Sequence, residues 1–255
     1  MDLEKKYILS IESTGRICSV ALLSFDDKNA KTNFELLSEY SIYVGNKHDR
    51  FLAELCCRIL NDNDLQVSEL SAIAVSIGPG SFTGLRIGSA IAKGLCFDDK
   101  NFFDDKKDSS NENNCPNKEE NHSIKIIAVP TLKTLACRVS EFFNSFNDYK
   151  NHKILSIIPS HSDLVYTQLF DASNNNLTEI EFVKIEEVKE KYAKDELLFL
   201  STNYKIELDF GIYLPEFSRI TAATVGKLAV QMYKKNEFTN PDTFVPLYIQ
   251  DFIPR

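Results

Sequence analysis

No two cysteines in this chain form a C-x-x-C pair, no two histidines form an H-x-x-x-H pair, and basic residues are outnumbered by acidic ones. Each shortage closes a class of function. The six cysteines are Cys18, Cys56, Cys57, Cys96, Cys115 and Cys137, and only Cys56 and Cys57 lie close together. Structural zinc needs thiolates at turn or helix spacing, so the cysteines read as free thiols of a reducing compartment, with no metal site. His48, His122, His152 and His161 lack the one-turn spacing with which two imidazoles share a metal on a helix. Lys and Arg number 29 against 37 Asp and Glu, a net charge of −8. Gripping a phosphate backbone alone takes clustered cations, so any RNA contact needs a local basic patch or a basic partner. No apolar stretch approaches the ~18 residues of a membrane span. Met1 to Ile11 has neither the h-region nor the cleavage site of a signal peptide. The expectation is a soluble, cytoplasmic protein without a membrane partner.

What remains is an ordinary globular composition, 43% hydrophobic and 26% charged over 255 residues. Tyr7 to Ile11 and Cys18 to Phe25 are short apolar runs flanking the polar turn Glu12-Ser13-Thr14-Gly15-Arg16, hence a hairpin. Leu36 to Val44 supplies a third strand. From Asp49 to Leu60 the apolar residues recur at helical spacing. Ala72 to Ile77 reads as a buried strand, Thr83 to about Phe97 as a second helix. Residues 98–123 carry almost nothing to bury and read as a mobile insert. Beyond it come a strand at Ile124 to Val129 and a helix from Thr131 to about Phe143. Strands follow at Ile154 to Ile158, Leu164 to Phe170 and Leu197 to Leu200, then a helix over 221–235. Phe244 to Phe252 reads as strand-like.

Ile8-Leu9-Ser10-Ile11 recurs as Ile154-Leu155-Ser156-Ile157, each followed by a polar turn and a second strand. Strands alternating with helices in both halves indicate α/β units. The preferred architecture is a duplicated α/β pair with a cleft between. The first lobe covers 1–97 and the second 124–255, with the helix at 221–235 packing back on the first.

Ala72 to Phe97 is the most informative stretch. Gly78 and Gly80 permit a sharp turn that Pro79 stiffens, and Ser81 or Thr83 can cap the helix that follows. Gly84, Gly88 and Ala92 then fall four apart on one helical face. Glycine within a helix costs about 1 kcal/mol relative to alanine, so the stripe needs the close approach of another backbone. That backbone can belong to the same chain or to a partner.

The run Gly78-Pro79-Gly80-Ser81-Phe82-Thr83-Gly84-Leu85-Arg86-Ile87-Gly88, with Ala92-Lys93-Gly94-Leu95 after it, closely resembles the TsaB family, also called YeaZ. Fainter likeness extends to the opening hairpin at 8–22, to His48 at the head of the first helix, to 126–136 and to Val245-Pro246-Leu247-Tyr248-Ile249. Glu12 stands where the family usually has aspartate. Pro159-Ser160-His161-Ser162-Asp163 stands where members usually show an aspartate-alanine-arginine turn. The resemblance implies an α/β fold of two related lobes of the actin/Hsp70/sugar-kinase (ASKHA) type, the second degenerate. It implies a non-catalytic subunit that dimerises with a TsaD-type catalytic homologue, works with a TsaE-type ATPase, and meets tRNA only through the complex. The reaction served is threonylcarbamoylation of the adenosine beside the anticodon of tRNAs reading ANN codons. A homodimer is the expected alternative when the chain is alone.

Carried over, the partner surface falls on the helices at 48–60 and 83–97, with His48, Phe51, Leu52, Leu55, Gly84, Leu85, Gly88, Ile91 and Ala92 as the contact residues. A bulky residue at Gly88 is then expected to block the partner. Catalytic residues, metal and cofactor are expected to be absent, with nucleotide only at a partner interface. Glu12, Ser13 and Thr14 read as a vestigial phosphate-binding turn. The rival reading is an independent nucleotide-dependent enzyme of the sugar-kinase or metallopeptidase-like superfamily.

Overall fold

The computed structural model describes residues 5–28, 33–43, 48–97, 124–143, 152–193, 195, 197–202, 206, 208–247 and 249. The expected insert at 98–123, and Cys115 with it, lies outside these. The chain opens with β1 (Lys5–Glu12), β2 (Cys18–Asp26) and β3 (Phe34–Ile42), then α1 (His48–Asn61), β4 (Ala72–Ser76) and α2 (Phe82–Phe97). After the gap come β5 (Lys125–Val129), α3 (Thr131–Phe143), β6 (Lys153–Pro159), β7 (Leu164–Phe170), β8 (Glu181–Lys184) and α4 (Ile185–Tyr192). β9 (Leu197–Ser201), β10 (Ile212–Tyr213) and α5 (Ala222–Lys234) complete it.

The strands form two five-stranded sheets, ordered β3-β2-β1-β4-β5 and β10-β9-β6-β7-β8. Read from β8, the second sheet repeats the first: β6 and β7 pair antiparallel like β1 and β2, and β6 and β9 pair parallel like β1 and β4. The repeated Ile-Leu-Ser-Ile sits on β1 and β6, at the centre of each sheet. Strand side chains alternate between faces, so one apolar run feeds two cores. Ile8 and Ile154 point into a shared inner core with Leu132, Leu135, Val225 and Leu228 from α3 and α5. Leu9 and Ile11 point the other way, against Leu52 and Ile59 of α1 and Leu95 of α2. Leu155 and Ile157 likewise face Val188 and Tyr192 of α4. The result is a layered stack: α1 and α2, first sheet, α3 and α5, second sheet, α4.

Side-chain bonds fasten α5 to the first sheet, among them one from the Ala223 amide to Glu39 Oε1 at 3.0 Å. The Ser10 hydroxyl donates to the Ala222 carbonyl at 2.8 Å, and the Ala222 amide donates to Ser19 Oγ at 2.9 Å. The strand expected over Phe244 to Phe252 does not form in the part described. Phe244 to Val245 run without strand pairing, and the Leu247 amide donates to the Ile77 carbonyl at 2.9 Å. Phe244 is buried in the core between the first sheet and the α1–α2 layer, which accounts for the aromatic pattern without a ladder.

Candidate functional site

The glycine stripe of α2 turns inward. A Cβ on Gly84 would stand 1.9 Å from the Ser13 carbonyl oxygen, and one on Gly88 would stand 2.3 Å from Ser13 Oγ. The close backbone is therefore the chain's own β1–β2 turn. Ser13 Oγ donates to the Gly84 carbonyl at 2.8 Å, and the Ser81 amide donates to the Thr14 carbonyl at 2.7 Å. Ser81, not Thr83, caps α2: its hydroxyl accepts from the Gly84 amide at 3.3 Å.

The residues expected on the partner surface divide between inward and outward sides of the two helices. Gly84, Leu85, Gly88 and Ala92 are buried, as are Leu52 and Leu55 on α1. They pack against their own sheet and turn. Phe51 and Ile91 are half-buried on the core's margin. His48 opens α1, and its side chain lies outside the described residues. The outward side of α1 and α2 also presents half-buried Phe82 and Ile87 and exposed Arg50, Arg58, Arg86 and Ala90. Phe97 at the end of α2 is 63% exposed. The Arg86 guanidinium lies 3.8 Å from the centroid of the Phe82 ring, and Arg50 lies 4.9 Å from that of Phe51. Each pair sets a cation over an aromatic face.

The Glu12-Ser13-Thr14 turn is buried and fully bonded. The parallel register sets Ile11 opposite Val75, which brings the next residues, Glu12 and Ser76, together at the ends of β1 and β4. Glu12 is 1% exposed. One carboxylate oxygen accepts from the Thr14 amide at 2.6 Å and the Thr14 hydroxyl at 2.5 Å; the other accepts from the Ser76 hydroxyl. Burial pushes this carboxyl above its ordinary value, and the bonds from Ser76, Thr14 and Gly15 pull part of the way back. Next to the turn, the Gly78 amide donates to Thr131 Oγ1 at 3.0 Å, and the Thr131 amide donates to the Gly78 carbonyl at 2.9 Å, pinning the start of α3. A cavity of about 400 Å³ opens here between the two halves, lined among others by Glu12, Thr14, Arg16, Thr131, Ser218 and Arg219.

Sequence reasoning missed Ser76, Ser218 and Arg219. Ser76 had a signal, being the polar residue that ends an otherwise apolar buried strand. Ser218 and Arg219 had none, because only the fold brings them to a turn some two hundred residues earlier. The turn at 159–163 between β6 and β7 stays at the surface: Ser160, His161, Ser162 and Asp163 are all exposed. Among the described residues, no three His, Cys, Asp or Glu side chains gather as a metal site would require. The described cysteines are free thiols, and burial raises Cys18 to about 11 and Cys96 to about 12, leaving them unreactive near neutral pH. No described helix is long and apolar enough to cross a membrane.

Similarity to known proteins follows this geometry. The family model described as "TsaD: tRNA N6-adenosine threonylcarbamoyltransferase" matches residues 43–101, the stretch from α1 through α2. The tRNA threonylcarbamoyladenosine biosynthesis protein TsaB of Buchnera aphidicola subsp. Baizongia pistaciae is 29% identical over 161 residues, covering 63% of this chain and 56% of that protein. TsaB of Bacillus subtilis is 28% identical over 173 residues, covering 68% and 58%. The chain thus matches somewhat over half the length of these relatives. YeaZ from Pseudomonas aeruginosa superposes with a TM-score of 0.69 at 17% identity, over 96% of this chain and all of that one. The two five-stranded sheets and the packed turn under α2 define a mixed α/β protein with the YeaZ fold. Its sequence relatives narrow the resemblance: the chain is similar to the TsaB (YeaZ) family.

Proposed function

We propose that this chain is a non-catalytic subunit in the biosynthesis of threonylcarbamoyladenosine in tRNA, and that it dimerises with and activates a TsaD-type catalytic homologue. Its two sheets are then the related lobes of an ASKHA-type fold, 1–97 and 124–255, the second degenerate. The observation that carries the reading is the outward face of α1 and α2. Half-buried Phe51, Phe82, Ile87 and Ile91 and exposed Phe97 lie on the same two helices that the TsaD family model matches. Apolar side chains left at the margin of a well-filled core mark a protein interface better than they serve a monomer. The partner surface is accordingly this outer face, with Phe51 and Ile91 retained from the sequence reading and Phe82, Ile87 and Phe97 added. Partner binding acts by favouring the competent state of the catalytic chain, to the extent that the two states differ in affinity. The ATPase of TsaE type and the tRNA join through that pair.

The second reading, an independent nucleotide-dependent enzyme, draws on the cavity beside Thr14 and Arg16. Co-purification with the TsaD-type homologue tests the first. A stoichiometric pair that is lost in an Ile91→Asp/Phe97→Asp double variant supports the outer face. A pair that survives the double variant unchanged refutes that surface, and ATP hydrolysis by this chain alone favours the second reading.

A further inference from the structure

The chain carries a net charge of −8, yet one corner of the molecule is locally basic. It lies where β1 and β5 begin, β2 ends and α5 finishes. Strand side chains alternate between faces, so Lys6 shares the face of Ile8, which packs with Val225 and Leu228 of α5. Lys125 lies on that face too, its Nζ 4.1 Å from the centroid of the Phe238 ring and 5.7 Å from that of Tyr233. Lys227 Nζ stands 5.5 Å from the Phe34 centroid. Lys234 ends α5, and Lys235 follows it. Lys5 belongs to the other face, where it pairs with Glu35 at 3.7 Å. The acids of the corner are Asp26 and Asp27 at the end of β2 and Glu237 beyond α5. Among the described residues, five lysines here thus outnumber three acids.

Lysines at a helix C-terminus serve the helix dipole, which accounts for Lys234 and Lys235. That role does not reach Lys6 and Lys125 on the strands, or Lys227 two turns earlier. The rings beneath them form a row: Phe25 and Tyr233 have centroids 5.0 Å apart, Tyr233 and Phe238 5.1 Å. A cation seated over a ring face is held in place. Lys227 and Lys234 are seven residues apart, about 10 Å along the helix. Lys6 and Lys125 have β4 between their strands, hence about 10 Å across the sheet. Cations spread this far meet several phosphates in succession, where a single small anion would reach one or two. Tyr233 and Phe238 are half-buried, and aromatic rings interleaved with spaced cations suit a nucleic-acid backbone and its bases. The corner also lies on the α5 side of the first sheet, across from α1 and α2. A chain held by its homologue through α1 and α2 leaves it open.

We propose that this corner is a contact surface for the phosphate backbone of tRNA, working beside the catalytic homologue. The identity of the polyanion rests on the proposed function; the basic surface itself does not. With few cations on an acidic chain, the contact adds affinity to the complex and does not hold tRNA alone at physiological salt.

The test compares the parent chain with Lys125→Gln/Lys234→Gln/Lys235→Gln. A Lys184→Gln/Lys189→Gln/Lys191→Gln control removes the same charge from the far layer, at β8 and α4. Each is combined with the TsaD-type homologue, and binding of an ANN-reading tRNA transcript is measured across a salt series. The corner variant should pair normally and keep its Tm within about 2 °C of the parent. Its tRNA binding should weaken about tenfold at about 0.1 M salt, and the slope of log K against log salt should fall by about two. The control should match the parent in both. A merely structural role would leave the slope where it was. Should the triple variant fail to fold, Lys234→Gln/Lys235→Gln leaves Lys125 over its rings and reads the same slope. Affinity and slope equal to the parent's overturn the proposal. Lysine-dependent binding to phosphatidylserine vesicles, with tRNA binding unchanged, assigns the corner to a lipid surface and also overturns it. If no pair forms, the scaffold reading fails separately, and the chain alone is titrated with tRNA at about 0.02 M salt. Binding there that depends on the three lysines sustains the surface, and binding indifferent to them overturns it.

Discussion

Two residues on α2 explain why that helix tolerates glycine. The Ser13 carbonyl lies where a Gly84 Cβ would be, and Ser13 Oγ where a Gly88 Cβ would be. Overpacking of this kind costs about 1–3 kcal/mol, more when backbone must move. We therefore expect Gly88→Leu to lower Tm by about 2–12 °C, measured by calorimetry on the isolated chain. Loss of partner binding in this variant would follow from the damaged turn and not from a blocked contact. A Gly88→Leu chain as stable as the parent would contradict the inward stripe. Glu12 gives a second prediction at this scale. Burial raises its carboxyl pKa in the folded chain above the ordinary 4.5. The folded state then holds the proton more tightly than the unfolded state, so this group's contribution is full at low pH and is lost as pH rises through the folded pKa. Glu12→Gln should flatten that part of the stability profile, read from urea unfolding across a pH series. An unchanged profile would show that Glu12 ionises as it would in the unfolded chain.

Among the elements, α1 and α2 divide their labour between two faces. Leu52, Leu55, Leu85, Ala92 and Leu95 fill the core under the first sheet, while Phe51, Ile87, Ile91 and Phe97 lie at or beyond its margin. Interface energy concentrates in a few large apolar or aromatic anchors. Phe97→Ala should weaken the pair with a TsaD-type partner by about ten- to thirtyfold, with a change in Tm of under about 2 °C, because the side chain is 63% exposed. Titration calorimetry checks the first and thermal unfolding the second. The helical stripe at 84, 88 and 92 was legible in the sequence, but its direction was not. Close approach of any backbone demands the same spacing, whichever chain supplies it. β8 and α4 left a weaker trace. Glu181 to Lys184 is four residues long, and α4 buries just Val188 and Tyr192, too short a pattern for periodicity to announce.

For the molecule as a whole, the duplicated sheet order was foreshadowed by four repeated residues. Ile8-Leu9-Ser10-Ile11 and its copy sit on β1 and β6, and each sends alternate side chains to an inner and an outer core. Such a pattern survives in sequence because both faces of a central strand are buried. The cavity did not survive in this way, since Arg16 and Arg219 come to line one space only through the packing of α3 and α5 between the sheets. The most direct test of the scaffold reading is reconstitution. Threonylcarbamoyladenosine formed in tRNA is quantified by mass spectrometry with the TsaD-type homologue and the TsaE-type ATPase, with and without this chain. The account predicts that modification needs this chain in addition to its homologue, and that this chain alone forms none. Full modification in its absence, or modification by this chain without the homologue, would contradict it.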